Sequence, residues 1–271
     1  MRIPTILTSA CLLLVGCQQE EGCTQPDALN YDPSAEIDDN SCEFANDSGN
    51  PGGGGSLDEP TIDGYTYDVV TIGEQVWFAE NLRTTVYANG DPIPADLTGG
   101  EWNSTTSGAT AVFGEGNSDC THSSPDIDAC DETQSLAAYG RLYNWYAVDD
   151  ARGLCPSGWH VPTDVEWTEL EDYITFEGFV DADGTALKST TGWYDNGNGT
   201  DDFGFSALPG GIREYGSGSF LDAGYYGYWW SSSPNGGIAW LRGLSYLNPD
   251  IFRSDSSPRN GFSVRCLRDA E

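Results

Sequence analysis

The chain has 271 residues, of which 43 are acidic and 11 are basic, so its formal net charge is −32. Such a field repels a phosphate backbone and an anionic membrane surface, which makes nucleic acid a poor partner. Polar uncharged ligands and divalent cations remain compatible with this charge, although an acidic surface also simply keeps an exported protein soluble.

The first residues have the pattern of a bacterial lipoprotein signal. Arg2 precedes an apolar run, Ile3 to Val15, that is too short to span a bilayer, and the run ends in Leu-Val-Gly followed by Cys17. This ending resembles a lipobox, so we predict a signal peptide over residues 1–16 and a diacylated Cys17 as the mature N-terminus. The alternative is an ordinary secretory signal in which Cys17 stays a thiol. Either signal places the mature chain outside the cytoplasm.

Three regions follow the signal. Gln18 to Glu21 resembles the short acidic motif that sends Bacteroidetes lipoproteins to the outer face of the outer membrane, so we expect surface display. Residues 17–44 form a lipidated acidic stalk with a small cysteine-flanked repeat, and residues 45–60 form a glycine-rich linker that should act as a flexible tether. The pattern becomes globular over residues 61–269.

Cysteine use fits an oxidising compartment. Of the eight cysteines, Cys11 leaves with the signal and Cys17 is expected to carry lipid, which leaves six. Six cysteines allow fifteen connectivities, and the sequence alone does not choose among them. Proximity favours the pairs Cys23–Cys42 and Cys120–Cys130, which leaves Cys155 with Cys266. No free thiol would then remain for catalysis.

Local patterns in the first half of the globular part predict a hairpin and one helix. Residues 69–78 contain two short alternating runs on either side of a Gly73-Glu74 turn, which is typical of a β-hairpin. Residues 95–134 are rich in Thr, Ser, Gly and Asp, and we interpret them as a surface insertion stapled by its own disulfide. A helix is expected over residues 144–151.

The clearest helix start in the chain lies at residues 162–166. Thr163 as N-cap and Glu166 three residues later make a capping box. The spacing of Trp167, Leu170 and Ile174 predicts one buried face. The carboxylates off this face are interpreted as solvated: Glu169, Glu171 and Asp172.

From Gly192 onward, short strand-like runs alternate with Gly, Asn, Pro and Ser, which is typical of an antiparallel meander. The combined pattern predicts a strand-rich α+β domain with about two helices in its middle.

Six segments carry a family pattern: VTIGEQVWFAENLRTTVYANGDPIP, YGRLYNWYAV, LCPSGWHVPTDVEW, DFGFSALPGGIR, WWSSS and GFSVRCLRD. In this order and spacing they resemble the Fibrobacter succinogenes major paralogous domain, from about Asp63 to Asp269. Phe78 stands where that family usually has Met, which is an exchange between core-type residues.

A more distant similarity concerns the second half of the chain. HVPTDVEW, WLRGLSY and RNGFSVRC resemble segments of the formylglycine-generating enzyme and sulfatase-modifying group. Because that group has a variant of the C-type lectin fold, the resemblance implies a C-type-lectin-like domain whose ends lie close together.

We predict no catalytic site. Catalysis in the formylglycine-generating group depends on reactive cysteines, whereas the mature cysteines here are all expected to pair. The two histidines are interpreted as a loop residue, His122, and a framework residue, His160. Two histidines would need carboxylates to complete a zinc centre.

The loop from Tyr194 to Asp202 offers five oxygen-bearing side chains: Asp195, Asn196, Asn198, Asp201 and Asp202. Calcium prefers such ligands, and lectin-type folds commonly hold it in the equivalent long loop, so Ca²⁺ is the one candidate cofactor. Loops of Asp, Asn and Gly also form turns without any ion, and that alternative stays open.

Six aromatic residues lie within sixteen positions: Tyr225, Tyr226, Tyr228, Trp229, Trp230 and Trp240. On a strand, Tyr226, Tyr228 and Trp230 would share one face, with Tyr225 and Trp229 on the other. Aromatic rings stack on the C–H faces of sugars, so Tyr225, Tyr226 and Tyr228 are candidate glycan-stacking residues. The alternative is that most of the cluster is core, and the distant resemblance assigns Trp230 to it.

The resulting hypothesis is a surface-exposed outer-membrane lipoprotein with a non-catalytic binding module for a polysaccharide or a surface partner protein. The lipid bilayer is the other expected partner, through Cys17. Two alternatives remain: a structural envelope protein without a specific ligand, and a formylglycine-generating-like modifying enzyme.

Overall fold

The structure, a computed structural model, describes residues 59–116 and 120–270, together with two short strands, β1 (Glu21–Gly22) and β2 (Ile37–Asp38). The chain divides into two compact units, Met1–Ser56 and Leu57–Glu271. In the first unit, β1 and β2 pair in parallel. The predicted signal peptide, Cys17 and the Cys23–Cys42 pair lie outside the described residues.

The second unit is a strand-rich α+β domain, as predicted. Its strands are β3 (Thr61–Ile62), β4 (Tyr65–Thr66), β5 (Val69–Ile72), β6 (Gln75–Phe78), β7 (Thr110–Ala111), β8 (Leu142–Asn144), β9 (Ile212–Arg213), β10 (Phe220–Leu221), β11 (Tyr226–Asn235), β12 (Ile238–Ser245), β13 (Phe252–Ser256), β14 (Gly261–Phe262) and β15 (Leu267–Asp269). Its helices are α1 (Gly99–Ser104), α2 (Glu132–Tyr139), α3 (Trp145–Val148), α4 (Asp164–Phe176) and α5 (Asp183–Leu187).

Antiparallel pairing organises these strands into sheets. The largest sheet has the order β10-β9-β14-β8-β7, and two three-stranded sheets have the orders β11-β12-β13 and β15-β6-β5. The β11-β12-β13 sheet is an antiparallel meander, but the other strands after Gly192 do not join it: β9, β10 and β14 belong to the largest sheet and β15 pairs with β6. Across the described residues, no helix has the length and apolar character needed to span a bilayer.

The predicted hairpin is confirmed: β5 and β6 pair with Val69 opposite Phe78, and Gly73 makes the turn with a φ of 63°. The last family segment, GFSVRCLRD, supplies two strands rather than one. Its first part, β14, pairs with β8 and β9, and its end, β15, pairs with β6 so that Leu267 lies opposite Trp77. The two ends of the domain therefore meet in one sheet.

Large aromatic side chains fill three core clusters. The first cluster contains Phe78 and Trp230, the second contains Trp77 and Trp229, and the third contains Trp102 and Phe220. β11 thus sends consecutive tryptophans into two different clusters, because successive side chains of a strand point to opposite faces. Both faces of this strand are core at Trp229 and Trp230.

Helix α4 begins where the sequence predicts. The Thr163 side chain accepts a hydrogen bond from the Glu166 backbone N–H at 3.2 Å, and the Glu166 carboxylate accepts one from the Thr163 N–H at 2.7 Å. The capping box and the buried face of Trp167, Leu170 and Ile174 are both confirmed.

The interpretation of Glu171 as a solvated carboxylate is wrong. It pairs with Arg242, whose side chain is only 1 % exposed and also pairs with Asp164 at 2.7 Å. A buried guanidinium needs such partners, since an unpaired buried charge is strongly destabilising. Desolvation raises the pKa of Glu171, although Arg242 acts in the opposite direction.

The interpretation of residues 95–134 as a surface insertion is also wrong. The segment contains α1 and β7 and buries Trp102 and Phe113 completely or nearly so. Thr98 with Glu101 caps α1, and Asp131 caps α2, so polar residues that suggested a loop are helix N-caps.

The expectation of about two helices is too low, since the described residues contain five. The predicted helix over residues 144–151 is shorter, because Asn144 is its N-cap and Asp149 its C-cap.

Candidate ligand-binding surface

Strand β11 begins at the surface and runs into the core. Tyr225 directly precedes the strand, and Tyr226 and Tyr228 lie at its start. All three side chains are half-buried. The next two residues, Trp229 and Trp230, are 1 % and 0 % exposed. Their indole N–H groups donate to the Asn81 side chain and the Tyr143 carbonyl, each at 2.8 Å. The tryptophans are satisfied core residues, which leaves the tyrosines as the candidates for contact with a ligand.

Three tyrosines pack against one another beside this strand end. The ring centroids of Tyr194 and Tyr225 lie 4.9 Å apart, those of Tyr225 and Tyr246 5.2 Å, and those of Tyr194 and Tyr246 5.5 Å. Their planes meet at 53–76°, the edge-to-face or tilted arrangement that aromatic rings prefer. Tyr194 is 40 % exposed. We call these residues the tyrosine cluster.

Backbone hydrogen bonds join the three chain segments that supply the cluster. The Tyr194 N–H donates to the Gly224 carbonyl at 2.9 Å, and the Tyr246 N–H donates to the Tyr225 carbonyl at 3.0 Å. The cluster therefore belongs to the sheet framework, which preorganises its rings.

The candidate calcium loop is the direct continuation of the tyrosine cluster. Gly197 lies so close to Tyr246 that a Cβ at this position would be 2.6 Å from the Tyr246 Cβ, so only glycine permits the approach. Asp195 and Asn196 have φ angles of 45° and 63°, in the left-handed region that Asp and Asn tolerate. Desolvation, the neighbouring tyrosines and the charge of Asp195 together raise the pKa of Tyr246.

The five candidate calcium ligands divide into two groups. Three of them hold turns within or next to the loop. The Asn198 side chain accepts from the Trp193 N–H at 3.0 Å, and both Asp201 oxygens accept from Ser206 at 2.6 Å. Asp202 accepts from the Thr200 hydroxyl. The other two, Asp195 and Asn196, are exposed beside the tyrosine cluster.

Among the described residues, one group of three Asp, Glu, His or Cys side chains brings its ligand atoms within 4.8 Å of one another, and it lies elsewhere: His122, Asp128 and Cys130. Calcium at residues 195–202 stays a prediction.

Tyr226 and Tyr228 form a separate pair. Their rings stack at 5.6 Å with planes 11° apart, and Tyr228 also packs against Phe262 of the core at 5.1 Å. Burial raises the pKa of Tyr228, to which the nearby Asp222 contributes. Tyr228 is thus mainly a packing residue, and Tyr226 covers its outer side.

The described cysteines are all in disulfides. Cys120 is joined to Cys130, the pair that proximity favours, and Cys155 is joined to Cys266, the expected remaining pair. The second disulfide is buried, with Cys155 6 % and Cys266 0 % exposed. His160 is an exposed framework residue, and its Nε2 lies 2.7 Å from a Glu166 oxygen.

Two members of the tyrosine cluster, Tyr194 and Tyr246, were not predicted as stacking residues. Tyr194 stands at the start of the candidate calcium loop, and Tyr246 directly follows β12. Neither has a local signal, because their proximity depends on how β12 returns beside β11.

Fold and surface together define a strand-rich α+β domain with a partly exposed aromatic cluster beside a loop of Asp and Asn. The chain belongs to the Fibrobacter succinogenes major domain family, whose sequence model matches residues 70–268. No curated protein and no solved structure matches the chain.

Proposed function

We propose that this chain is a surface-displayed bacterial lipoprotein whose folded domain binds a polysaccharide without catalysing a reaction. The observation that carries the proposal is the tyrosine cluster beside Asp195 and Asn196. Three rings held by the sheet framework offer apolar faces with polar rims, which suits the alternating C–H and hydroxyl surfaces of a sugar. Amide and carboxylate groups next to them can accept hydrogen bonds from sugar hydroxyls.

The net charge of the chain indicates which polysaccharides it can bind. With a net charge of −32, the chain repels polyanions, so the proposed ligand is a neutral glycan. We include Ca²⁺ in the proposal as an ion that Asp195 and Asn196 would hold together with sugar hydroxyls. The distant resemblance to lectin-type folds is consistent with such a role.

We propose that Cys17 anchors the protein in the membrane. The lipobox-like sequence before Cys17 supports two-chain lipidation, which gives stable membrane attachment. The glycine-rich residues 45–60 would let the domain reach outward from the outer membrane.

A glycan array probed with the full mature protein, with and without EDTA, tests the binding function. We expect binding to neutral polysaccharides that EDTA weakens. Tyr194→Ala should reduce the affinity about twofold to tenfold, since an aromatic contact contributes roughly 0.5–1.5 kcal/mol. Tyr215→Ala is the matched control, because Tyr215 is 40 % exposed, as Tyr194 is, but is not part of the cluster. Absence of any glycan binding would favour a structural envelope protein instead.

Mass spectrometry of the native mature protein tests the anchor. We expect an N-terminal Cys17 with acyl modification and release of Cys17→Ala from membranes. An unmodified Cys17 would contradict lipidation. Thiol titration of the unreduced protein addresses the enzyme alternative, since two free thiols would support a formylglycine-generating-like activity.

A further inference from the structure

The loop closed by the Cys120–Cys130 disulfide has a symmetrical arrangement of side chains. His122 lies two residues after the first cysteine, and Asp128 lies two residues before the second. Both side chains lie near the Cys130 sulfur. The ligand atoms of His122, Asp128 and Cys130 all lie within 4.8 Å of one another, and Cys120 Sγ is bonded to Cys130 Sγ at 2.12 Å.

Two observations set this group apart from an ordinary surface ion pair. His122 Nε2 lies 3.2 Å from Asp128 Oδ1, and the His122 side chain is only 24 % exposed. In addition, His122 Nδ1 is buried and has no hydrogen-bond partner. The ring therefore makes its polar contact through Nε2, the nitrogen that would bind the metal. Neutral imidazole is the commonest metal ligand among protein side chains.

Backbone hydrogen bonds fix the positions of these residues. The Ser123 N–H, next to His122, donates to the Ala223 carbonyl at 2.9 Å. The Cys130 N–H donates to Asp128 Oδ1 at 3.0 Å, and the Asp128 N–H donates to the Gln134 side chain at 3.3 Å. Histidine and aspartate are therefore held near the two sulfurs by the framework around the loop.

We propose that the dithiol form of this loop is a structural zinc site with Cys120, His122, Asp128 and Cys130 as its four ligands. Tetrahedral Zn²⁺ takes ligands at about 2.0–2.3 Å, which places neighbouring ligand atoms roughly 3.3–3.8 Å apart. The observed 3.2 Å between His122 Nε2 and Asp128 Oδ1 is close to this spacing. The sulfurs must separate, which breaking the disulfide allows.

The dithiol exists in each chain before the disulfide forms, and a thiol reductant regenerates it: two RSH molecules reduce the cystine to two cysteine thiols and leave as RSSR. Zinc binding then releases both thiol protons. The loop would be closed by a disulfide when oxidised and by Zn²⁺ when reduced.

Selective reduction makes the test practical. Cys120 and Cys130 are half-buried, whereas Cys155 and Cys266 lie in the core, so a mild thiol reductant should open the loop disulfide first. The full chain is reduced, freed of reductant under anaerobic conditions and titrated with Zn²⁺ and, for its visible spectrum, with Co²⁺. We expect one ion per chain, thiolate-to-cobalt absorption, and no tight binding to the oxidised protein.

Variants decide whether these residues are the ligands. His122→Asn and Asp128→Asn should each weaken zinc binding on the order of a hundredfold, while His160→Asn, which alters the other histidine, should leave it unchanged. Disulfide formation in each oxidised variant checks that the loop still folds. Equal zinc affinity in His122→Asn and the unaltered protein, or absence of zinc binding to the reduced chain, would overturn the proposal.

Discussion

At the residue scale, Arg265 illustrates how this domain accommodates a buried charge without a carboxylate. Its guanidinium donates to the Asn81 side chain at 3.0 Å, to the Phe78 carbonyl at 3.1 Å and to the carbonyls of Phe205 and Ser206. It also lies over the Phe205 ring, 4.0 Å from the centroid. Burial lowers the pKa of Arg265 to about 9, and the more distant charges of Asp201 and Glu80 act in the opposite direction.

Replacing Arg265 should lower the free energy of unfolding, because its hydrogen-bond network is lost. Arg265→Met leaves several buried acceptors without donors, so we expect the free energy of unfolding to fall by about 2–4 kcal/mol. Arg152→Met is the control: Arg152 is exposed and pairs with Asp150 at the surface, so its loss should cost under about 1 kcal/mol. Urea denaturation measures both. Similar losses in the two variants would contradict the role assigned to Arg265.

At the element scale, α4 is the part of the fold that its own sequence specifies best. Thr163→Ala removes the N-cap acceptor, so we expect a loss of about 1 kcal/mol in the free energy of unfolding. Thr175→Ala, at an exposed position of the same helix, is the matched control and should change stability by less than about 0.5 kcal/mol. Thermal denaturation of the two variants provides the comparison, and equal stability would show that the cap contributes nothing.

Other elements were less predictable because their signals are ambiguous in isolation. The N-caps Thr98 and Asp131 stand in a polar stretch, where Thr and Asp are equally typical of turns. Their helices form because Trp102 and Tyr139 reach a shared core cluster. In the same way, Glu171 has the spacing of a solvated residue and pairs with Arg242 only because β12 lies against α4.

At the scale of the whole molecule, buried tyrosines make stability depend on alkaline pH. Burial raises the pKa of Tyr67 and Tyr139 to about 12, and it raises that of Tyr143 well above its ordinary value. In an unfolded chain these groups ionise near pH 10. The stability that these tyrosines contribute to the folded state is complete below about pH 10. It is lost as the pH rises toward 12, because the unfolded state then releases protons that the folded state retains.

We therefore expect the urea midpoint to fall steadily between about pH 10 and pH 12. Arg265 acts in the opposite direction, since its lowered pKa favours the folded state at high pH, but three tyrosines outweigh it. Tyr139→Phe removes one titrating group. The free energy of unfolding that this variant loses between pH 10 and pH 12 should therefore be smaller by about 2–3 kcal/mol than in the unaltered protein. A midpoint that stays constant over this range would refute the prediction.

The sequence by itself determined the features that depend on neighbouring residues: the hairpin turn at Gly73, the capping box of Thr163 and Glu166, and the family pattern. These signals act over a few positions, where backbone geometry fixes which groups meet. Only the tertiary structure decided that Tyr194 and Tyr246 join Tyr225, and that residues 261–269 supply strands to two sheets. Such contacts join residues far apart in the chain, and they arise from the packing of large aromatic side chains into shared clusters rather than from any local preference.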